Sequence, residues 1–288
     1  MSEPTTQNPG HGSKVSGRRH AVITGAGSGI GLQVARRFAG LGFRLTLVDI
    51  NAGPLADAAA ACRKAGSEEV GTLIVDLGSA HGPETMIADS WAMVPIDVLV
   101  NSAGIYPATP FLSLDATTWD KVLNLNTRAP LLATVALAQR AIAAARPASI
   151  VNISSGASLR ARPGAAPYST SKAALEMATK ASALELGQYG IRVNAVAPGF
   201  VTVNSSVNPI TEEYAAAVSG NPLGRHGEPD DIARAVVWLA GEDAAWVTGE
   251  TLRVDGGSST GATHLPLHWT GESGANASNN KLEGNHAG

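Results

Sequence analysis

The sequence is poor in the residues that mark several classes of protein. It contains one cysteine, Cys62, which excludes an internal disulfide framework and a zinc site built from several cysteines. We interpret Cys62 as a packing residue. The formal net charge is −3, so no basic excess points to nucleic acid or to an anionic membrane as the main partner. Aromatic residues make up only 5% of the chain, and the core is therefore expected to be aliphatic and alanine-rich.

Long apolar runs are also missing. No stretch reaches the roughly 18 apolar residues that a membrane-spanning helix needs. Residues 1–17 lack the apolar centre of a signal peptide and are rich in Pro, Gly, Thr, Asn and Ser, so they are expected to form a disordered arm. The default expectation is a cytoplasmic protein without a membrane partner.

What the sequence does contain is a regular alternation of apolar strands and helices. Because each strand is a near-continuous aliphatic run, the pattern is typical of a parallel sheet covered by helices on both faces. We predict one α/β domain over residues 18–260 and a polar extension over residues 261–288 that is expected to be flexible. The predicted strands are residues 20–24, 44–49, 70–76, 97–101, 149–154, 191–197 and 251–254, and the main predicted helices are residues 30–38, 54–65, 84–91, 119–145 and 230–240.

A glycine-rich turn joins the first predicted strand to the first predicted helix. Its sequence, TGAGSGIG over residues 24–31, places Gly25, Gly29 and Gly31 in a Gly-x-x-x-Gly-x-Gly spacing rather than the usual Gly-x-Gly-x-x-Gly. Glycine in such a turn permits positive φ and lets a pyrophosphate approach the backbone at the helix N-terminus. A glycine-rich turn alone is a weak signal, but its place between a strand and an amphipathic helix predicts a nucleotide site.

Asp49 ends the second predicted strand and bears on the choice of nucleotide. An acid at this place accepts hydrogen bonds from the adenosine ribose hydroxyls and repels a 2′-phosphate. Neither Ser28 nor Ile50 is a cation that could bind such a phosphate, so the sequence favours NAD over NADP. The same acid could instead cap the helix that follows. Asp76, at the end of the third predicted strand, is the candidate contact for the adenine, with a surface cap as its alternative.

Tyr168 and Lys172 lie four positions apart in a segment predicted as a helix, and therefore on one helix face. An ammonium held beside a phenol stabilises the phenolate and lowers the tyrosine pKa from its ordinary value of about 10. A tyrosine tuned in this way exchanges protons near neutral pH, as a general acid or base does. The pair alone is a weak signal, because a half-buried tyrosine and a solvated lysine can share a helix by chance.

Together with further motifs, these features resemble the short-chain dehydrogenase/reductase family over about residues 18–257. The resemblance implies a single Rossmann-like domain with a seven-stranded parallel sheet and helices on both faces, assembled as a homotetramer or a dimer. Each motif is loose, and their joint order and spacing indicate the family. The matching elements are TGAGSGIG at 24–31, Asp49, Asp76, NSAG at 101–104, Asn126, NISS at 152–155, YSTSK at 168–172, PG at 198–199 and TGETLRVDGG at 248–257.

The resemblance implies chemical roles for four residues. Tyr168 would be the catalytic acid/base, and Lys172 would lower its pKa and bind the nicotinamide ribose. Ser155, thirteen residues before Tyr168, would bind the substrate oxygen, with Ser154 as the alternative. Asn126 would hold a water that links Lys172 to solvent, unless it only bonds to backbone at a helix irregularity.

The resemblance also implies a set of cofactor contacts, with one departure from the family pattern. Thr202 stands one position earlier than the threonine that often follows Pro-Gly in the family, so we expect the contact to pass to the backbone of Val201. The extension contains His264, His268 and Trp269, which have no family counterpart, and we expect a tail rather than a metal site there. The predicted cofactor contacts are Gly25, Gly27, Ser28, Gly29, Ile30, Gly31, Asp49, Ile50, Asp76, Leu77, Asn101, Ala103, Gly104, Tyr168, Lys172, Pro198, Gly199 and Val201.

The predicted reaction is hydride transfer between the nicotinamide and a small-molecule secondary alcohol or ketone of moderate size. The pocket is expected to be mainly apolar and to include part of the variable region 204–224, while Arg160 and Arg162 could recognise an acid group. Within the family the alternative is a 3-oxoacyl thioester reductase, which Asp49 fits less well because those enzymes commonly use NADPH. A non-catalytic dinucleotide sensor is the alternative from another class, and the intact set of four catalytic candidates argues against it. The predicted substrate contacts are Ile105, Tyr106, Ser155, Leu159, Tyr168, Phe200 and Val207.

Overall fold

The structure, a computed structural model, describes residues 18–203, 212–213, 215 and 219–261. Within these ranges seven parallel strands form one sheet in the order β3-β2-β1-β4-β5-β6-β7. This confirms the predicted Rossmann-like α/β fold. The predicted arm over residues 1–17 and the predicted extension beyond residue 261 lie outside the described residues. The strands are β1 His20–Thr24, β2 Arg44–Asp49, β3 Val70–Ile74, β4 Val98–Asn101, β5 Ala148–Ile153, β6 Ile191–Pro198 and β7 Thr251–Val254.

Seven α-helices cover the two faces of the sheet in the described part of the chain. They are α1 Gly29–Gly40, α2 Ala52–Ala65, α3 Gly82–Met93, α4 Ala116–Leu123, α5 Ala129–Ala143, α6 Ala166–Leu186 and α7 Pro229–Ala240. On one face α1, α2 and α7 enclose a core that includes Phe38, Cys62 and Val236. Burial there raises the pKa of the Cys62 thiol to about 11, in keeping with a packing role. The core on the other face includes Met86 of α3 and Leu137 of α5. None of the described helices is long and apolar enough to cross a membrane.

The strand order determines where a site can form. β1 lies between β2 and β4, and the chain proceeds outward from β1 in both directions, so a crevice opens at the carboxyl ends of β1 and β4. The Thr24 hydroxyl at the end of β1 accepts hydrogen bonds from the backbone N–H groups of Ser102 (2.9 Å) and Ala103 (3.0 Å). The glycine turn after β1 and the NSAG segment after β4 are thereby held together at this crevice.

The segment predicted as helical over residues 119–145, with Pro130 expected near a kink or near the start of its regular part, consists of two helices joined by a π-helical turn. The first of them, α4, begins three residues earlier than predicted because Asp115 caps it, with Oδ1 accepting the Thr118 N–H at 2.7 Å. The turn spans Asn124–Arg128. Pro130 accounts for the break, since it has no N–H to donate to the carbonyl of Asn126 four residues before it. Turns of this kind occur often at functional sites.

Candidate active site

The glycine turn has the backbone that its sequence predicts. Gly25 and Gly29 adopt φ values of 64° and 54°, which side chains rarely tolerate. A Cβ on Gly31 would lie 2.2 Å from the Gly25 carbonyl oxygen. The third glycine therefore lets α1 begin directly against the turn.

The N-terminus of α1 is suited to an anion from outside the chain. Its first turn contains no acidic residue, and the side chain of its N-cap, Ser28, makes no capping hydrogen bond. By contrast, α7 begins with a capping box formed by Glu228 and Asp231. The N–H groups of this first turn, which no side chain caps, and the positive end of the α1 dipole therefore fit the pyrophosphate of a dinucleotide.

Asp49 lies at the end of β2 beside this turn, with its carboxylate held by backbone. Oδ2 accepts the Gly27 N–H at 3.1 Å and Oδ1 accepts the Asn51 N–H at 3.0 Å. A Cβ on Gly27 would lie 2.9 Å from Oδ2, so glycine is needed for this approach. Ser28 and Ile50 are both exposed and uncharged. The site thus presents a fixed carboxylate, without a cation at either position, to a ribose at this edge.

Asp76 is exposed and shapes the turn after β3. Its Oδ1 accepts the Gly78 N–H at 2.9 Å, and its carbonyl accepts the Ser79 hydroxyl at 2.7 Å. This turn ends β3 at Ile74, two residues earlier than predicted. One carboxylate oxygen of Asp76 therefore makes the kind of turn contact that the capping alternative expects. The contact with the adenine stays a prediction. The next residue, Leu77, is buried in the second core at 7% exposure.

The end of β4 is braced by a buried ladder of polar side chains. Asn101 donates from Nδ2 to Asn152 Oδ1 at 2.8 Å, and Asn152 donates to Thr179 Oγ1 at 2.9 Å. The ladder ties β4 and β5 to α6. It leaves Ala103 half-buried and Gly104 exposed at the crevice, where the floor of a cofactor site is predicted.

Lys172 is the most unusual charged group of the site. Its residue is only 5% exposed, and Nζ donates to the Ile153 carbonyl at 2.7 Å. Nζ lies 5.8 Å from the centroid of the Tyr168 ring, on the next turn of the same helix. Burial lowers the Lys172 pKa from 10.5 to about 8. Tyr168 is half-buried and packs against the ring of Tyr106, with centroids 4.6 Å apart.

The two serines at the end of β5 have different surroundings. Ser154 is 2% exposed, and its hydroxyl donates to Glu176 Oε1 at 2.8 Å. Ser155 is half-buried, and its hydroxyl accepts the Ala157 N–H at 3.2 Å. The contact with Glu176 occupies the Ser154 hydroxyl inside the protein, so Ser155 is better placed to meet a substrate.

Asn126 is fully buried in the π-helical turn, and its amide braces the loop after β4. Oδ1 accepts the Ile105 N–H at 3.0 Å, while Nδ2 donates to the Ile105 carbonyl (2.9 Å) and to Ser171 Oγ (3.1 Å). A Cβ on Gly104 would lie 3.2 Å from Oδ1 and 3.6 Å from Lys172 Nζ. The bonds to Ile105 match the alternative in which Asn126 bonds to backbone at a helix irregularity. Because Gly104 has no side chain, a space is left between Asn126 and Lys172.

The end of β6 closes the site on the opposite side. Pro198 is buried, and a Cβ on Gly199 would lie 2.7 Å from the Asp255 Cα, so the two chain segments are in close contact. Val201 is 9% exposed and forms an isolated bridge with Gly227. Thr202 is exposed, and its hydroxyl lies 3.3 Å from Nδ1 of a histidine, His226.

Among the predicted substrate contacts that the structure describes, Tyr106 packs against the Tyr168 ring. Ile105 and Tyr106 follow the NSAG segment and are half-buried, whereas Leu159 is 49% exposed. Phe200 packs edge-to-face on His226 with centroids 5.1 Å apart. Arg160 donates to the Ser258 carbonyl at 2.9 Å, and Arg162 is half-buried in the same loop. Val207 and most of the region 204–224 lie outside the described residues, as do His264, His268 and Trp269.

Comparison with known proteins agrees with this geometry. The sequence pattern of the family described as enoyl-(acyl carrier protein) reductase matches residues 25–259. A solved structure described as a short chain dehydrogenase/reductase family protein is 35% identical, with a TM-score of 0.74 over 84% of this chain and 98% of that one. This chain belongs to the short-chain dehydrogenase/reductase family.

Two further relatives of this short-chain oxidoreductase have more specific descriptions. Galactitol 2-dehydrogenase (L-tagatose-forming) from Cereibacter sphaeroides is 37% identical over 241 residues, which cover 82% of this chain and 93% of that protein. A 4-hydroxyisoleucine dehydrogenase complexed with NADH is 30% identical, with a TM-score of 0.76 over 85% of this chain and 100% of that one. The relatives are thus dehydrogenases and reductases of alcohols and ketones.

Several contacts of this oxidoreductase fall on residues for which the sequence predicts no individual role. Thr24 joins β1 to β4, Ser171 bonds Asn126, and Ser158 and Glu176 bond each other near Ser155. One signal was available, since Glu176 follows Lys172 by four positions and must share its helix face. The described residues contain no group of three or more His, Cys, Asp or Glu side chains that could hold a metal ion.

Proposed function

We propose that this short-chain dehydrogenase is NAD-dependent and interconverts a secondary alcohol and the corresponding ketone, with Tyr168 as the acid/base. The observation that carries the proposal is a buried cation that lacks a counter-ion among the described residues. Lys172 is 5% exposed, and none of the salt bridges between described residues includes it, so no described carboxylate offsets the cost of its charge. An anion formed beside it would relieve that cost. The Tyr168 phenolate, on the adjacent turn of α6, is such an anion.

The proton and the hydride leave the substrate by different routes. In the oxidation direction the Tyr168 phenolate accepts the hydroxyl proton, while the Ser155 hydroxyl donates a hydrogen bond to the substrate oxygen. The bound nicotinamide supplies the hydride acceptor, or the hydride donor in the reverse direction. In oxidation, the charge of Lys172 favours the Tyr168 phenolate that accepts the proton. In reduction, the same charge keeps the Tyr168 hydroxyl acidic enough to donate a proton to the substrate oxygen.

A proton route to solvent completes the proposal. The space that Gly104 keeps between Asn126 Oδ1 and Lys172 Nζ has a polar atom on each side. Oδ1 accepts one hydrogen bond, from Ile105, and a carbonyl oxygen has a second lone pair. A water in this space would connect Lys172 to Asn126, which is the role that the family resemblance implies.

The preference for NAD is supported by Asp49. Its carboxylate is held by the N–H groups of Gly27 and Asn51 at the edge where the ribose of the bound dinucleotide is expected. A 2′-phosphate there would meet a fixed negative charge. The NADH bound by the related 4-hydroxyisoleucine dehydrogenase is in keeping with this choice.

The substrate class is narrowed by the relatives rather than by the pocket. Galactitol 2-dehydrogenase, as its name states, acts on a polyol, which makes polyols and ketoses the first candidates within the alcohol/ketone class. A 3-oxoacyl thioester reductase is the second candidate, because the matching family is described by an acyl carrier protein substrate. Asp49 disfavours the NADPH that such enzymes commonly use.

The proposal includes a cytoplasmic homotetramer, or a dimer, as the family resemblance implies. In support, α5 presents Leu131, Val135 and Ile142 along one side, each more than a third exposed (37%, 44% and 38%). Aliphatic side chains at this spacing form a stripe on one helix face, which is typical of a surface covered by another subunit.

The test is a panel of polyols, ketoses, simple secondary alcohols and a 3-oxoacyl thioester, each with NAD(H) and NADP(H), followed by nicotinamide absorbance. Wild-type protein is compared with Tyr168→Phe, which removes one hydroxyl and keeps the ring. We expect turnover with NAD(H), a loss of kcat of roughly 10³-fold in the variant from the 10²–10⁴-fold typical of acid–base catalysis, and NADH affinity within twofold of wild type.

Three results would overturn parts of this proposal. Retained turnover in Tyr168→Phe would remove the proposed acid/base. Tighter binding of NADPH than of NADH would reverse the cofactor assignment. NADH binding without turnover across the whole panel would favour a dinucleotide sensor.

A further inference from the structure

Glu176 is the third member of a row on one face of α6. It follows Tyr168 and Lys172 at intervals of four residues, so the three side chains point to the same side of the helix. Its side chain is 15% exposed and is directed at the end of β5. There Oε1 lies 2.8 Å from Ser154 Oγ and 2.5 Å from Ser158 Oγ. One carboxylate oxygen thus receives two serine hydroxyls.

These two serines enclose Ser155. Ser154 is also fixed by its N–H, which donates to the Val196 carbonyl of β6 at 2.7 Å. Ser158 folds back on Ser155, whose carbonyl accepts the Ser158 N–H at 3.0 Å. The Ser158 hydroxyl lies 2.8 Å from the same carbonyl, so its one proton is shared between this carbonyl and Glu176. The short turn that carries Ser155 is therefore attached to α6 at both ends through the same atom of Glu176.

The contacts are stronger than a neutral side chain would make. Hydrogen bonds to a carboxylate are roughly twice as strong as bonds between neutral groups. Arg253 Nη1, on β7, lies 4.0 Å from Oε1 and has no hydrogen-bond partner among the described residues. Through these contacts Glu176 links α6 to the end of β5 and to β7. The linked serines lie on either side of Ser155, the candidate substrate contact.

We propose that Glu176 is a positioning residue, which holds Ser155 and Tyr168 so that both hydroxyls reach one substrate oxygen. The inference rests on the proposed function, because it assumes that Ser155 and Tyr168 act on the same atom. Ser155 belongs to the turn after β5 and Tyr168 to α6, and Glu176 joins these elements next to the reacting groups. A misplacement of about 1 Å at reacting groups can cost 10²-fold in rate.

Two substitutions separate positioning from charge. Glu176→Gln keeps an oxygen that can accept both serine hydroxyls but removes the charge, whereas Glu176→Met keeps the length and removes the acceptor. We expect kcat to fall 10- to 100-fold in Glu176→Met and to recover to within threefold of wild type in Glu176→Gln, with the KM for NAD within threefold in both. Glu185→Met, which replaces an exposed glutamate of the same helix, is the matched control. An equal loss in the Gln and Met variants, with wild-type exchange of residues 154–158 in both, would show that the charge itself acts and would overturn the positioning role.

A double-mutant cycle tests whether Glu176 acts through Ser155. If it does, Glu176→Met should lower kcat by less than twofold once Ser155→Ala is present, because the positioned hydroxyl is already gone. A merely structural role would lower kcat by the same factor in both backgrounds. That additive result would overturn the inference while the proposed function stands.

Amide hydrogen exchange gives a readout that does not need turnover. In Glu176→Met we expect at least tenfold faster exchange in a peptide that covers residues 154–158, with wild-type exchange in Glu176→Gln and Glu185→Met. Retained turnover in Tyr168→Phe would mean that the proposed function has failed. In that case the exchange rates of residues 154–158 would still show whether Glu176 holds this turn against α6. Unchanged exchange in Glu176→Met overturns the inference whatever the activity.

Discussion

The glycine turn after β1 and the end of β5 lie at the same edge of the sheet but are held in different ways. The turn depends on backbone: Gly25 and Gly29 adopt positive φ, and Gly31 packs its Cα against the Gly25 carbonyl. The end of β5 depends on side chains of α6, with Lys172 bonded to a β5 carbonyl and Glu176 to the serines that follow. The glycine turn depends on the lack of side chains, whereas the end of β5 depends on the polar atoms of side chains.

This difference determines which changes each region tolerates. An added methyl group in the turn meets backbone, which cannot move aside, so small increases in size should be severe. At the end of β5 a change of size should matter less than the loss of a donor, an acceptor or a charge. The predictions below test the contrast, from the largest expected effect to the smallest.

Gly31→Ala should have the largest effect. The new Cβ would lie 2.2 Å from the Gly25 oxygen and 2.8 Å from its carbonyl carbon, so the turn and α1 must separate. We expect NADH affinity to fall by more than 100-fold and the free energy of unfolding to fall by about 3 kcal/mol, at the upper end for overpacking. Fluorescence titration of NADH and thermal unfolding measure the two effects.

The matched control for this substitution is Gly42→Ala. Gly42 has a positive φ of 75°, but a Cβ there would meet nothing within 4 Å, so the substitution adds backbone strain without a collision. We expect a loss of stability of about 1 kcal/mol and unchanged NADH affinity. An effect of Gly31→Ala no larger than that of Gly42→Ala would mean that contact with the Gly25 backbone does not limit the turn.

Lys172→Met should make the protein more stable while removing activity. Burial lowers the Lys172 pKa from 10.5 to about 8, which corresponds to about 3 kcal/mol of destabilisation. Removing the ammonium also removes a charge-assisted bond from the buried Ile153 carbonyl, which costs about 2 kcal/mol in return. We therefore expect a gain of about 1 kcal/mol in the free energy of unfolding at pH 7, measured by urea denaturation.

The pH dependence of this gain follows from the sign of the pKa change. Below pH 8 the lysine is protonated in both states, so the folded wild type bears the whole cost of burying the charge. Between pH 8 and 10.5 the unfolded chain binds the extra proton, and wild-type stability rises with pH relative to the variant. The advantage of Lys172→Met should shrink over this window. A variant that is less stable than wild type at pH 7 would show that the buried ammonium is not a cost.

The same contrast explains what the sequence can predict. The glycine turn is local, because a strand, three glycines and a helix follow one another within about a dozen residues, and each leaves its own pattern. The alternation of strands and helices is also local, and every predicted strand is present with bounds within two residues. Asp76 shows the limit of such reasoning. The predicted third strand includes this residue, whereas β3 ends at Ile74 and Asp76 lies in the exposed turn that follows.

The contacts that hold the candidate catalytic side chains in place leave almost no local pattern in the sequence. Asn101 bonds Asn152 across 51 residues, and Ser154 bonds Glu176 across 22, so only the sheet topology brings these partners together. The residue types could be named from the family pattern, but their partners could not. Pro130 was a visible signal of a helix irregularity, yet the bonds that Asn126 makes to Ile105 depend on where the loop after β4 passes.

Gly104→Ala should have the smallest effect. It tests a glycine that lies against polar side chains rather than against backbone. A Cβ there would enter the space between Asn126 Oδ1 (3.2 Å) and Lys172 Nζ (3.6 Å), both of which are side-chain rather than backbone atoms. Gly104 does not have a positive φ, so the fold should tolerate alanine. We expect kcat to fall about tenfold, or ~1.4 kcal/mol in barrier, with a melting temperature close to that of wild type.

The reason for this expectation is that the methyl group would occupy the place of the proposed water rather than collide with backbone. If the water carries protons between Lys172 and solvent, kcat should fall in both reaction directions and the solvent isotope effect on kcat should rise. Gly53→Ala, where a Cβ would meet nothing within 4 Å, is the control and should leave kcat unchanged. An unchanged kcat in Gly104→Ala would mean that protons reach Tyr168 by another route, and that this glycine serves only the close packing of the loop.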